Sequence, residues 1–168
     1  PDCDVIEYFG LQVGLNTTRA NWCCDVKVSY RVFECDLTLS PPRLMKVQLA
    51  GLGIKGALPD NIGNLKRLTV LNVSHNLLTG ALPTSLFELP LLTYLDLDAN
   101  AFSGTISEKI GDLGNLVKLQ MYKNKFTSTL PPALGKLMKL QIFDMSNNNL
   151  VGTLPLALNN LTQLQELY

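Results

Sequence analysis

Net charge is absent: 14 Lys and Arg balance 14 Asp and Glu across 168 residues. The basic residues are scattered, so the footprint of a nucleic-acid or acidic-membrane binder is missing. Aromatic residues make up only 7% of a chain that is 46% hydrophobic, so the core must be aliphatic. No uncharged apolar run reaches the roughly 18 residues of a membrane-spanning helix. Histidine occurs once, at His75, which leaves no His-based triad to assemble. GxSxG, Walker, dinucleotide-binding and HExxH patterns are all lacking. The expectation is a protein that is not an enzyme, with no cofactor and no metal.

What is present is periodic. Leucine recurs at Leu44, Leu68, Leu92, Leu116, Leu140 and Leu164, every 24 residues without insertion or deletion. Apolar residues follow three later (Val47, Leu71, Leu95, Leu119, Phe143, Leu167) and five later (Leu49, Val73, Leu97, Met121, Met145). Each unit therefore opens LxxLxL, a short strand with one buried face, and the whole reads as a solenoid. Eight residues after each lead leucine stands an asparagine, Asn76, Asn100, Asn124 and Asn148, with Leu52 in the first unit. A stacked amide ladder there would satisfy the backbone where the coil turns sharply. An atypical first unit fits a terminal repeat that meets a cap.

The second half of each unit repeats too. Gly56, Gly80, Gly104, Ser128 and Gly152 precede Leu58, Leu82, Ile106, Leu130 and Leu154, and then come Pro59, Pro83, Ser107, Pro131 and Pro155. Ile62, Leu86, Ile110, Leu134 and Leu158 pair with Leu65, Leu89, Leu113, Leu137 and Leu161 at the i, i+3 spacing of one helical turn. With these residues in place, the pattern LxxLxxLxLxxNxLxGxIPxxLGxL resembles the plant-type leucine-rich repeat across residues 44–168. The resemblance implies an α/β solenoid: a right-handed coil with a concave parallel β-sheet, a short second strand around the GxLP segment, and short helical turns on the convex side. We place an N-terminal cysteine cap at 1–42 and repeats at 43–168, five complete plus the start of a sixth, in one structural domain.

Cys3, Cys23, Cys24 and Cys35 all precede the first repeat, as in a disulfide-stapled cap. Three pairings are possible, of which one joining the adjacent Cys23 and Cys24 is disfavoured by backbone strain. Zinc is a minor option, because adjacent cysteines suit a tetrahedral site poorly. The run NWCCD with Cys35 following is similar to that of the polygalacturonase-inhibiting proteins, in which the first cysteine pairs with the first of the doublet. That resemblance implies Cys3–Cys23 and Cys24–Cys35. Asp4 with Glu7 resembles a capping box opening a helix to about Gly14, with Val5, Ile6, Phe9 and Val13 on its buried side.

Asn16-Thr17-Thr18, Asn72-Val73-Ser74 and Asn160-Leu161-Thr162 are N-glycosylation sequons. With the disulfides they predict an extracellular protein, secreted or the ectodomain of a membrane protein. The chain starts at Pro1 without Met or leader and stops at Tyr168 inside the sixth strand. The expectation is a processed or trimmed piece whose natural chain continues, or whose open edge is covered by a partner or by self-association.

Between the buried leucines, three columns point to the concave surface. They run Lys46, Val70, Tyr94, Lys118, Ile142, Glu166; then Gln48, Asn72, Asp96, Gln120, Asp144, Tyr168; then Ala50, Ser74, Asp98, Tyr122, Ser146. Tyr94, Asp96, Asp98, Lys118, Gln120, Tyr122, Asp144 and Ser146 make the candidate ligand-binding patch, suited to a basic peptide or to stacking on sugar rings. A glycan on Asn72 would block the N-terminal part of this face. Asp96 and Asp98 are a poor catalytic pair, because an open sheet offers no pocket to desolvate one of them. They are also too few ligands for calcium. The leading expectation is an extracellular recognition module for a peptide, protein or glycan ligand, like a receptor ectodomain. Alternatives are a secreted structural or self-assembling wall or matrix protein, and an inhibitor of a wall-degrading glycosidase.

Overall fold

The coordinates are a computed structural model and describe residues 2–7, 22–24 and 32–168. Two parallel sheets run along the coil. The longer contains β1 (Phe33–Asp36), β2 (Arg43–Gln48), β4 (Val70–Asn72), β6 (Tyr94–Asp96), β8 (Lys118–Gln120), β10 (Ile142–Asp144) and β12 (Glu166–Leu167), neighbours in that order. All its pairings are parallel except β1 with β2. The shorter sheet is formed by β3 (Lys55–Gly56), β5 (Leu77–Gly80), β7 (Ala101–Thr105), β9 (Lys125–Ser128) and β11 (Asn149–Leu150).

The strands are short because only the middle of each LxxLxL segment pairs. Leu71, Leu95, Leu119 and Phe143 sit opposite one another in register, and the lead leucines from Leu44 to Leu140 are fully buried behind them. The second strand lies slightly ahead of its expected place, ending at the repeat glycine in β3 and β5, at Ser128 in its place in β9, one residue past Gly104 in β7 and two residues before Gly152 in β11. Gly80, Gly104 and Gly152 have φ near +83° there, a bend that interrupts extended backbone. Phe102 and Phe126 stack across neighbouring coils, their ring centroids 6.4 Å apart and their planes at 13°.

Opposite the sheets lie single 3-10 turns at Ile62–Asn64, Thr84–Glu88, Glu108–Asp112, Pro132–Lys136 and Leu156–Asn160. Three residues per turn match the i, i+3 leucine spacing. The carbonyl of the preceding proline accepts the first turn bond, as Pro59 does from Ile62 N and Pro131 from Leu134 N. Ser107, standing where the other units have proline, accepts the same bond from Ile110 N through its carbonyl and also caps the turn, its hydroxyl accepting from Lys109 N at 3.2 Å.

The ladder asparagines each join two coils. Asn76 Oδ1 accepts from Leu52 N and Ile54 N of the first coil, while its Nδ2 donates to Leu49 O, Val73 O and Ser74 O at 2.7–3.0 Å. Asn100, Asn124 and Asn148 repeat this with Leu78 N, Phe102 N and Phe126 N. Because the amide serves the coil before it, the first coil needs no asparagine of its own.

Cys3–Cys23 and Cys24–Cys35 close the cap. The first ties α1 (Asp2–Val5) to the 3-10 turn Trp22–Cys24, and the second ties that turn to β1. The sulfurs of Cys3, Cys23 and Cys24 lie close together, but each is committed to a disulfide, so zinc gives way to covalent closure. Asp4, expected to open the helix, lies inside α1, which begins two residues earlier. Asp2 is the anchoring carboxylate, buried and accepting from Arg43 Nε and Leu44 N, both at 2.8 Å. Val5 and Ile6 are buried against the first coil. Phe9, Val13, Gly14 and Asn16 lie outside the described residues.

Candidate functional site

Strand register assembles the patch. Tyr94 stands opposite Val70 and Lys118, Asp96 opposite Asn72 and Gln120, and Gln120 opposite Asp144. The expected columns therefore exist, but they are not uniformly exposed.

In the middle column, Asn72 Oδ1 accepts from Ser74 N at 3.0 Å and Ser74 Oγ at 2.8 Å. Asp144 Oδ1 does the same for Ser146 N and Oγ at 2.9 and 2.7 Å, and Asp96 Oδ1 accepts from Asp98 N at 3.1 Å. These are Asx turns, in which a short side chain satisfies the amide two residues on. Asp96 and Ser74, expected on the open face, are consequently buried, at 6% and 4% exposure.

Gln120 breaks the series, since no such bond forms from it. Instead Tyr122 N donates to Asp98 Oδ1 of the preceding coil at 2.7 Å. Gln120 Nε2 donates to the other oxygen of the same carboxylate at 3.3 Å. Tyr94 Oη reaches Asp96 Oδ2 at 2.8 Å and Gln120 Oε1 at 3.1 Å. Lys118 Nζ lies over the Tyr94 ring, 5.3 Å from its centroid.

The expectation that an open sheet leaves its carboxylates solvated fails at Asp98. Half-buried, with Asp96 and Asp144 adding like charge, its carboxyl is pushed up to about 6 despite the Tyr122 N–H and His75. Burial, then the Asp96 hydrogen bond and the charges of Asp96 and Asp98, push the Tyr94 hydroxyl far above its ordinary range. The site is thus a linked set of partly desolvated polar groups.

Of the remaining sequons, Asn160 is exposed at the end of the last 3-10 turn, and Asn72 is half-buried on β4. His75 occupies a turn with φ 55° and is exposed. A cleft of about 350 Å³ lies away from the strand face, between cap and first coil, lined by Asp2, Pro41, Pro42, Arg43, Asn61 and Asn64. Of its charged lining groups, Asp2 and Arg43 pair with each other, and Asp4 stands beside them. No helix among the described residues is long and apolar enough to cross a membrane.

Sequence patterns and solved structures agree with this architecture. Residues 42–102, and again 115–137 and 139–161, match family profiles of the leucine-rich repeat. No curated protein matches the chain. The leucine-rich-repeat ectodomain of the plant membrane receptor kinase GASSHO1/SCHENGEN3 from Arabidopsis thaliana, solved with CASPARIAN STRIP INTEGRITY FACTOR 2, is 32% identical. It aligns over 73% of this chain and 15% of its own length, with a TM-score of 0.72. The plant peptide hormone receptor RGFR1, solved with RGF2, is 33% identical over 74% of this chain and 20% of its own, with a TM-score of 0.70. This chain therefore spans a fifth or less of either receptor structure. The ectodomain of the receptor kinase SOBIR1 from Arabidopsis thaliana aligns over 98% of this chain and 89% of its own, with a TM-score of 0.81 at 24% identity, a likeness of fold. The chain belongs to the leucine-rich repeat family and has the fold of plant receptor-kinase ectodomains.

Proposed function

We propose that this chain is an extracellular, non-catalytic recognition module that binds a peptide or protein segment across β6, β8 and β10 on the face of the longer sheet. The observation that carries this reading is the contrast between a uniform interior and a differentiated face. Leucine recurs at almost every inward position, whereas Tyr94, Lys118, Gln120, Tyr122, Asp144 and Ser146 differ from coil to coil. A solenoid varies its exposed columns while keeping its scaffold, and partly desolvated polar groups beside aromatic rings suit an interface centre. Two similar structures were solved with CASPARIAN STRIP INTEGRITY FACTOR 2 and with RGF2, which supports a peptide or protein ligand over a sugar. The disulfide-closed cap supports an oxidising, extracellular setting.

The test is selection of binders from a displayed random-peptide library on the folded chain, followed by calorimetry with variants of each face. Tyr122→Ala and Lys118→Glu should each weaken the selected peptides at least about tenfold, the effect of roughly 1.4 kcal/mol. Lys136→Glu on the turn side should leave affinity unchanged. Loss of affinity in Lys136→Glu with retention in both strand-face variants would place binding on the other side.

A further inference from the structure

Tyr94 Oη carries one hydrogen but has two acceptor oxygens in reach, Asp96 Oδ2 at 2.8 Å and Gln120 Oε1 at 3.1 Å. The nearer, charged carboxylate takes it, leaving Gln120 Oε1 facing the tyrosine oxygen without a hydrogen between them. The other end of that amide, Nε2, donates to Asp98 Oδ2. The two ends of an amide have the same shape. Turned by 180°, Nε2 would donate to Tyr94 Oη and complete a chain from Gln120 through Tyr94 to Asp96. The same turn would set Oε1 against Asp98 Oδ2, an arrangement that is stable only when that carboxyl carries a proton.

We infer that Asp98 and Gln120 form a two-position proton switch. With Asp98 ionised, the amide donates to it. With Asp98 protonated, the amide turns over, accepts from the Asp98 O–H and donates to Tyr94. The only bond made or broken is that O–H, and its proton is exchanged with solvent.

The surroundings set where the switch turns. Asp96 faces Asp98 from its own coil and Asp144 from two coils on, both as like charges, while His75 on the preceding coil opposes them. From the following coil come Tyr122, which supplies the backbone donor, Lys118 over the Tyr94 ring, and Lys123, exposed to solvent. With burial as the largest contribution, Asp98 changes charge near pH 6.

Protonation would thus exchange donor for acceptor in the middle of the proposed binding face. That consequence rests on the recognition reading, but the switch does not. It is read without ligand, by following the Gln120 side-chain amide resonances and the Asp98 carboxyl carbon by NMR in the wild type from about pH 4.5 to 7.5. Both should move with one shared midpoint near 6, and Asp98→Asn should flatten the Gln120 curve. Tyr94→Phe, which removes the acceptor of the turned amide, should lower the Asp98 midpoint, and it provides a readout should Asp98→Asn fold poorly. A Gln120 amide that stays flat while Asp98 titrates, or one that titrates unchanged in Asp98→Asn, overturns the switch. Coupled titration in a chain that binds no peptide overturns the recognition reading alone.

Discussion

Asn124 illustrates how much one side chain does in a coil of this kind. Its amide takes the Phe102 N–H at 3.0 Å and supplies Leu97 O, Met121 O and Tyr122 O at 2.9–3.3 Å, linking two consecutive coils. Asn124→Ala should lower stability by about 2–3 kcal/mol, because buried backbone groups lose their partners. Urea unfolding reports this as a lower midpoint, and an unchanged midpoint would mean that water or backbone shifts replace the amide. Ser128 is the opposite case. It adopts φ 75° where the other four units carry glycine, a conformation costly for any side chain with a Cβ. Ser128→Gly should raise stability by roughly 0.5–1 kcal/mol, visible as a higher Tm. Both roles were legible in the repeat, one as a kept residue and one as a departure. The burial of Asp96 and Ser74 was not. A period of two assigns a residue to a face, but it does not show that the side chain bends back to cap its own backbone.

At the scale of elements, glycines of the 3-10 turns let neighbouring coils approach closely. A Cβ added at Gly111 would lie 2.7 Å from the Ala133 carbonyl oxygen on the next coil. Gly111→Ala should therefore cost about 1–3 kcal/mol, since backbone must move to admit it. A neutral result in the same unfolding assay would show the coils to be looser than drawn. The cap predicts an order of events. Cys24 and Cys35 are half-buried, whereas Cys3 and Cys23 are almost fully enclosed. Limited dithiothreitol followed by alkylation and mass spectrometry should find Cys24 and Cys35 labelled before Cys3 and Cys23; the reverse order would contradict this packing. The strand and turn positions followed from leucine spacing, and the disulfide pairing from the family resemblance. The cap's antiparallel β1 and the true anchor Asp2 were hidden, because neither belongs to a repeat: β1 pairs with β2 through a register shift between Glu34 and Cys35, and Asp2 reaches residues 41 and 42 positions away.

For the whole molecule, Asp98 ties stability to pH. Its folded carboxyl binds a proton up to about pH 6, whereas an unfolded aspartate releases it near about 3.9. The folded state thus holds more proton in that window, and stability falls as pH rises from about 4 to about 6. Asp98→Asn should remove this slope; urea midpoints at three pH values check it, and parallel pH dependences for the two chains would contradict it. The face that carries Asp98 is also the face proposed to bind. The most direct measurement is a map of amide chemical-shift changes in the chain on adding a library-selected peptide. Shifts concentrated at Tyr94, Lys118, Gln120, Tyr122, Asp144 and Ser146 are the predicted result. Shifts concentrated instead on the turns 132–136 and 156–160 would contradict recognition on the strand face.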